Sequence, residues 1–213
     1  MKTIYFYLDF ISPYAWLAFD TLPQALEGIS HRVVFKPVVF GAMLKHHGQL
    51  GPAEIPAKRD WTYRQVQWQA RSQGTPLQLP ASHPFNSLAL LRLATACDAD
   101  GTPNRFVCDK IFRHVWCTGQ EAADAERLAA LNADLKPAGD AASDTVKQQL
   151  KAHTDEAIAL NLFGVPSLVV DGQVFWGNDA LPMLRAYLQG DPWFQSPDWT
   201  GVAQLPVGVQ RKA

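Results

Sequence analysis

The stretch DFISPYAW, from Asp9 to Trp16, contains a strong start signal for a helix. Serine at an N-cap accepts a hydrogen bond from a free backbone N–H, and proline fits the first helical position, so Ser12 and Pro13 suit these two places. The preceding residues alternate as a β-strand does, and one face of that strand carries Ile4, Phe6, Leu8 and Phe10. The stretch therefore predicts a strand over Lys2–Phe10, a short loop and a helix that begins after Ser12.

Outward from this point, the helix is predicted to run to about Leu26, with a kink at Pro23. A second strand is predicted over His31–Phe40, where Pro37 indicates a bulge or an edge position. Residues 41–56 read as a loop. Further helices are predicted over 57–73, 86–97, 103–116, 122–134 and 143–160. Two short apolar runs joined by Asp171-Gly172 then predict a β-hairpin, and a last helix follows.

Both ends of the chain thus supply strands, and a block of helices lies between them. The two ends are expected to share one sheet, because each strand needs a partner and a covered face. We therefore predict a thioredoxin-like α/β fold, a four-stranded mixed sheet with helices on both faces, from residues 1–40 and 145–190. Residues 41–144 are predicted to form an all-helical insertion, and residues 191–213 an irregular tail over the surface.

Composition excludes several classes of function. The 213 residues carry a formal net charge of −1, so no basic face for nucleic acid is expected. No apolar run approaches the roughly 20 residues that span a bilayer, and the first residues do not resemble a signal peptide. A cytoplasmic protein is therefore expected. The three cysteines, Cys97, Cys108 and Cys117, form no Cys-x-x-Cys pair and are expected to be buried apolar residues without disulfides.

Several motifs between Tyr7 and Leu188 resemble one family. They are YLDFISPYAWLA, HGQLGP, PAKRDW, HPFNSLALLR and FGVPSLVVDGQVFWGNDALPMLRAYL. Together they resemble 2-hydroxychromene-2-carboxylate isomerases, whose thioredoxin fold is of the DsbA type and which are similar to kappa-class glutathione transferases. The fold implies a cis-proline at Pro166. Redox members carry Cys-x-x-Cys at the helix start, but this chain has Ser12 and Ala15 there, which excludes dithiol exchange at this position.

The resemblance implies reduced glutathione as the cofactor, with its thiol over Ser12. A helix N-terminus and a hydroxyl both favour an anion such as a thiolate, although Ser12 could also be a plain N-cap. Further contacts to glutathione are implied for Gln49, Lys58, Val165, Pro166, Trp176, Asn178 and Asp179. The structural alternatives are a surface lysine for Lys58, a core residue for Trp176, and helix capping for Asn178 and Asp179.

The implied reaction is the glutathione-dependent cis–trans isomerisation that interconverts 2-hydroxychromene-2-carboxylate and trans-o-hydroxybenzylidenepyruvate. Asn86 could hold the carboxylate of this aromatic acid or cap its own helix. An apolar wall for the substrate is predicted from Phe10, Tyr14, Trp61 and Trp68. The family also implies a homodimer. No metal site is predicted, since His46 and His47 are adjacent and have no third ligand at a usual spacing.

Two other functions stay open at this point. The first is a kappa-like transferase that conjugates glutathione to electrophiles or reduces peroxides with it. The second is a thioredoxin-fold binding protein without turnover.

Overall fold

Four strands form one mixed sheet in the computed structural model, which describes residues 1–202 and 205–209. Their order is β2-β1-β3-β4, with β1 at Lys2–Leu8, β2 at His31–Pro37, β3 at Ser167–Val170 and β4 at Gln173–Trp176. β1 is parallel to β2 and antiparallel to β3, and β3 and β4 form an antiparallel hairpin. The predicted sheet and its hairpin are confirmed. Asp171 and Gly172 both have positive φ, as a tight hairpin turn requires.

The helices largely follow the predicted segments. α1 covers Pro13–Ala25, α2 Phe40–His46, α3 Pro56–Gln73, α4 Leu88–Ala96, α5 Arg105–Trp116, α6 Ala125–Leu135, α7 Asp144–Ala159, α8 Leu181–Leu188 and α9 Pro197–Thr200. Polar N-caps start several of them: the side chains of Ser12, Asn104, Asp124 and Ser143 each accept a hydrogen bond from a backbone N–H three residues later. Such caps contribute about 1 kcal/mol each, which explains why these starts could be predicted.

α2 lies where the sequence predicts the end of the second strand, at Phe40, and a loop over residues 41–56; that prediction is wrong. β2 ends at Pro37, on the edge of the sheet as its proline indicates, and α2 begins three residues later. No local residue caps α2. Its first N–H groups, those of Val39 and Phe40, instead donate to the side chains of Thr154 and Asp9. Because both acceptors are distant in sequence, the local pattern contains no start signal.

One continuous core joins the sheet to the helices. Ile4, Phe6 and Leu8 face this core together with buried residues of α1, α4, α5, α7 and α8. Tyr7 faces the other side of the sheet, where it packs with Val38 and Leu162. Helices α4, α5 and α6 therefore share this core with the sheet. The division into residues 1–40 with 145–190 and 41–144 stays a prediction.

The tail is more regular than predicted. It contains a 3-10 turn at Pro192–Gln195 and the short helix α9, and Phe194 packs against Tyr187 with ring centroids 5.1 Å apart. The proline residues that suggested an irregular strap instead occupy first positions of helical turns. The predicted tail also includes residues 203, 204 and 210–213, which lie outside the described residues. Within the described ranges, none of the helices has the length and apolar character needed to cross a membrane.

Pro23 lies inside α1, where its missing N–H leaves the Phe19 carbonyl without its helical partner. The guanidinium of Arg105, at the start of α5, supplies the replacement. Both of its terminal nitrogens donate to the Phe19 carbonyl at 3.2 Å, and its Cζ lies 4.2 Å from the centre of the Phe19 ring. α5 is thereby joined to α1 at the point where proline weakens the helix.

We expect Arg105→Met to lower the free energy of unfolding by about 1–3 kcal/mol, because a buried carbonyl loses its donor. In a Pro23→Ala background the same change should cost less, because an alanine at this position supplies the missing backbone N–H. Urea denaturation of the four proteins measures both costs. An equal loss in the two backgrounds would contradict this account of Arg105.

Candidate active site

Ser12 lies where β1 meets α1, at the N-cap of the helix. Its side-chain oxygen accepts a hydrogen bond from the N–H of Ala15 at 3.2 Å, and its hydroxyl donates to the Val165 carbonyl at 3.2 Å. Only 7% of the residue is exposed. Ser12 therefore combines a helix N-terminus, which favours anions, with a hydroxyl that can donate to one.

Val165 and Pro166 face Ser12 from the turn immediately before β3. The Val165–Pro166 peptide bond is cis, as predicted. The Pro166 carbonyl accepts a hydrogen bond from the N–H of Gly177 at 3.0 Å, which holds the end of β4 against this turn. Residues 153 positions apart in the chain thus meet at the Ser12 hydroxyl.

A cavity of about 1130 Å³ opens beside Ser12. Most of the predicted site residues line it: Ser12, Tyr14, Gln49, Lys58, Asn86, Val165, Pro166, Trp176, Asn178 and Asp179. They come from α1, the α2–α3 loop, α3, the α4 start and the hairpin end. The structure therefore brings together the residues that the resemblance implies for glutathione.

Three residues of the predicted apolar wall do not line the cavity. Phe10 is fully buried in the core, with its ring centroid 4.8 Å from that of Phe112. Trp61 and Trp68 are 63% and 67% exposed. The face of α3 that lines the cavity instead carries Lys58, Thr62, Gln65 and Gln69. The two tryptophans share a different flank of α3, because residues seven apart lie on one side of a helix.

Other residues provide the apolar lining that those three do not. Phe40 and Leu44 of α2 and Phe85 from the loop before α4 all line the cavity. On the α3 side, the Tyr14 hydroxyl donates to Gln65 Oε1 at 2.7 Å, and Gln69 Oε1 is buried without a hydrogen-bond partner among the described residues. The cavity thus has an apolar side and a polar side.

Asn86 precedes the N-cap residue Ser87, bonds to the backbone at the start of α4 and keeps part of its amide free. Its side-chain oxygen accepts the N–H of Leu88 at 3.0 Å near the start of α4. The amide NH2 group of an asparagine carries two further donors. Because Asn86 is exposed and lines the cavity, capping does not exclude a contact with a ligand.

Trp176 lies at the cavity mouth rather than in the core. It is 52% exposed, and its ring centroid is 4.8 Å from that of Phe163. A Cβ placed on Gly164 would come within 2.5 Å of its indole nitrogen, so the ring position requires a glycine there. Next to it, Asn178 is buried and accepts a hydrogen bond from Thr21 at 3.4 Å, whereas Asp179 is exposed.

Asp9 was not selected from the sequence, although it lines the cavity and is only 1% exposed. Its two oxygens accept the N–H groups of Ile11 at 3.1 Å and Phe40 at 3.0 Å. Burial raises the pKa of Asp9 to about 6, against the lowering effect of these hydrogen bonds. An aspartate three residues before a helix N-cap gives no sequence signal for such burial.

None of the three cysteines lines the cavity. All are free thiols, and burial raises the pKa of each, to about 11 for Cys97. They are therefore not activated nucleophiles. Across the described residues, no group of three or more His, Cys, Asp or Glu side chains could hold a metal ion.

The profile of the DSBA-like thioredoxin domain matches residues 3–189. The chain belongs to this family. It is 29% identical over 196 residues to a 2-hydroxychromene-2-carboxylate isomerase of Sphingobium xenophagum, covering 88% of the chain and 98% of the relative. It is 22% identical over 211 residues to glutathione S-transferase kappa 1 of Rattus norvegicus, covering 90% and 92%. The resemblance stated from the motifs is thereby confirmed.

Solved structures agree with this fold. The structure of a 2-hydroxychromene-2-carboxylate isomerase superposes with a TM-score of 0.75 at 23% identity, covering 92% of the DSBA-like chain and 98% of the other. A cytosolic disulfide reductase from Pseudomonas aeruginosa, determined with GSH, superposes with a TM-score of 0.54 at 16% identity, covering 88% and 99%. At these identities the superpositions establish the fold alone.

The buried carboxyl of Asp9 should make stability depend on pH. Its pKa is about 6 in the folded protein and about 3.9 when unfolded, so the folded protein binds more protons between these values. The stability that Asp9 contributes is therefore present below about pH 4 and lost as the pH rises through 6. Relative to Asp9→Asn, the free energy of unfolding of the protein should fall by about 3 kcal/mol as the pH rises over this range. Urea denaturation at several pH values measures it, and a constant difference would contradict the raised pKa.

Proposed function

We propose that this protein is a glutathione-dependent isomerase of the 2-hydroxychromene-2-carboxylate type, in which Ser12 stabilises the glutathione thiolate. The observation that carries the proposal is the position of Ser12. It is a serine at a helix N-terminus, opposite a cis-proline turn, at the wall of a cavity of about 1130 Å³. Pockets that hold drug-sized ligands have volumes of about 300–1,000 Å³, so this cavity has room for a tripeptide together with a small acid.

The hydrogen bonds at Ser12 fit glutathione. The serine hydroxyl has one proton, which it donates to the Val165 carbonyl. With a thiolate over Ser12, the hydroxyl would turn toward the sulfur and release the Val165 carbonyl. That carbonyl would then be available to accept the cysteinyl N–H of the tripeptide, in the manner of a short added β-strand. The oxygen of Ser12 continues to cap α1 through Ala15.

The ends of the tripeptide have matching groups in the chain. At the cavity mouth, Asp179 is exposed and suits the γ-glutamyl ammonium, while the backbone N–H groups near Asn178 suit its carboxylate. Lys58 is exposed on the cavity face of α3 and suits the glycyl carboxylate. Gln49 and Trp176 complete the lining between these ends. Opposite charges at the two ends give the tripeptide one orientation.

Ser12 and the N-terminus of α1 would together have to lower the pKa of the bound glutathione thiol. A free thiol has a pKa of about 8.5, which leaves a few per cent of thiolate at neutral pH. Lowering this pKa by about 2 requires roughly 2.7 kcal/mol of preferential stabilisation. A charge-assisted hydrogen bond together with a helix N-terminus supplies an energy of this size. Bound glutathione would supply a thiolate that adds to the conjugated C=C bond of the keto acid and leaves after rotation about that bond.

The substrate side of the cavity suits an aromatic acid. Phe40, Leu44 and Phe85 form an apolar surface that can receive a ring, and the free amide donors of Asn86 can hold a carboxylate. Tyr14, Gln65 and Gln69 offer hydrogen bonds to further polar groups on the opposite side. These residues replace Phe10, Trp61 and Trp68 in the substrate-binding proposal. The implied homodimer and cytoplasmic location stay predictions.

A second candidate function uses the same site. The similarity to kappa-class glutathione transferases over most of the chain favours an enzyme that conjugates glutathione or reduces peroxides with it. The two functions differ in their use of the cofactor. The isomerase regenerates glutathione at every turnover, whereas the transferase and peroxidase consume it.

The test of the proposal begins with calorimetric titration of the protein with reduced glutathione. We expect saturable 1:1 binding in the micromolar to millimolar range, followed by isomerisation of 2-hydroxychromene-2-carboxylate without loss of total thiol. Thiol consumption with a conjugated product would favour the transferase. Absence of binding would remove both enzyme functions and favour a binding protein without turnover.

Ser12→Ala should raise the pKa of the bound glutathione thiol and reduce isomerase activity at neutral pH by at least about tenfold, since each pKa unit is a factor of ten in thiolate. Ultraviolet thiolate absorbance and kcat measure the two effects. Ser143→Ala is the matched control, because Ser143 caps α7 through Val146 at 3.3 Å away from the cavity. Loss of the cap should cost each variant about 0.5–2 kcal/mol of stability, and Ser12→Ala should lose more, because the Val165 carbonyl also loses its donor. An unchanged thiol pKa in Ser12→Ala would refute the assigned role.

A further inference from the structure

Four backbone groups at and immediately before Ser12 form hydrogen bonds. The Phe10 carbonyl accepts a hydrogen bond from Trp116 Nε1 at 2.9 Å, and the Ile11 N–H donates to Asp9 at 3.1 Å. The Ile11 carbonyl lies 2.8 Å from His83 Nε2. The Ser12 N–H donates to the Asp9 carbonyl at 3.0 Å. The Ile11–Ser12 peptide bond sets the direction of the Ser12 side chain, and His83 holds its oxygen.

The partners of His83 define its tautomer. A carbonyl can only accept, so the nitrogen that faces Ile11 carries the proton, and Nδ1 is the acceptor of the neutral ring. The Tyr63 hydroxyl lies 2.7 Å from Nδ1 and 3.1 Å from the His83 carbonyl, and the shorter contact, to Nδ1, is the one that its single proton favours. Burial and the nearby Arg59 lower the pKa of His83, in agreement with a neutral imidazole. The ring also packs against Trp116, with centroids 5.5 Å apart.

Both nitrogens of His83 are therefore occupied by the protein, although the residue lines the cavity. A ring in this state has no nitrogen available to exchange a proton with a ligand. It can affect the site only through its hydrogen bond to the Ile11 carbonyl, next to Ser12. The same arrangement, in which a fixed tautomer orients a reacting group through a hydrogen bond, is found where side chains support metal ligands and catalytic bases.

We propose that His83 is a positioning residue for Ser12: its Nε2–H fixes the Ile11–Ser12 peptide so that the Ser12 hydroxyl faces the bound thiol, and Tyr63 fixes the tautomer that makes this possible. The inference rests on the proposed role of Ser12 in holding a glutathione thiolate. It gives the segment between α3 and α4 a role in stabilising the thiolate at the start of α1. Without the Nε2–H, the Ile11–Ser12 peptide is held only through its N–H, by the Asp9 carbonyl, and the direction of the hydroxyl is less tightly fixed.

The test compares His83→Phe, which keeps a ring but removes both nitrogens, with His83→Gln, which keeps an N–H donor. His114→Phe is the matched control. His114 Nε2 bonds to the Ala122 carbonyl at 3.0 Å, a bond of the same kind, and His114 does not line the cavity. Tyr63→Phe provides a second, milder variant that leaves His83 in place. Each protein is titrated with glutathione, its bound thiolate is followed by ultraviolet absorbance against pH, and its thermal unfolding is recorded.

We expect His83→Phe to raise the pKa of the bound thiol by about 1, a tenfold loss of thiolate at neutral pH, with a smaller change in glutathione affinity. His83→Gln should restore most of the thiolate, and Tyr63→Phe should change it in the same direction as His83→Phe but by less. His114→Phe should lower the unfolding temperature and leave the thiol pKa unchanged.

A wild-type thiol pKa in both His83→Phe and Tyr63→Phe, alongside a raised pKa in Ser12→Ala, would overturn the role of His83 alone. Equal thiol pKa values in His83→Phe and His114→Phe would do the same. A protein that binds no glutathione, or whose Ser12→Ala variant keeps the wild-type thiol pKa, would overturn the proposed function and this inference with it.

Discussion

The Asp9 carboxylate is the interaction on which the site depends. It accepts hydrogen bonds from the N–H of Ile11 in the β1–α1 loop and from the N–H of Phe40 at the start of α2. Two segments that line the cavity are therefore joined at one buried side chain. Burying a carboxyl costs free energy unless its oxygens accept hydrogen bonds. The folded state is therefore favourable only while these segments keep their N–H groups at Asp9.

Much of the fold could be predicted because its signals are local. The alternation in β1, the Ser12-Pro13 pair and the Asp171-Gly172 turn are each contained within a few residues. α2 could not be predicted, since Thr154 and Asp9 cap it from distant positions in the chain. Cis-Pro166 came from the resemblance alone, because a Val-Pro pair in itself favours trans.

The glutathione side of the site was easier to predict than the substrate side, and the reason is physical. The contacts implied for glutathione lie at the ends of strands and helices, where the backbone itself fixes their direction. The substrate wall depends on which face of a helix turns inward. α3 is polar around most of its circumference, with only Val66 and Ala70 buried, so its hydrophobic pattern did not indicate the inward face. The large exposed rings of Trp61 and Trp68 were mistaken for that face.

The helical segment between β2 and α7 does more than enclose the cavity. Trp116 and His83 reach from it to the Phe10 and Ile11 carbonyls, and Arg105 reaches the Phe19 carbonyl that Pro23 leaves free. In each case a side chain of this segment satisfies a backbone group of β1–α1 that regular structure cannot. The bonds from Trp116 and His83 place Ser12 without adding a charge beside it, because Trp116 is neutral and His83 has the geometry of a neutral imidazole. Because neutral donors place Ser12, the helix N-terminus and the Ser12 hydroxyl remain the groups that favour a thiolate at this point, as a borrowed nucleophile requires.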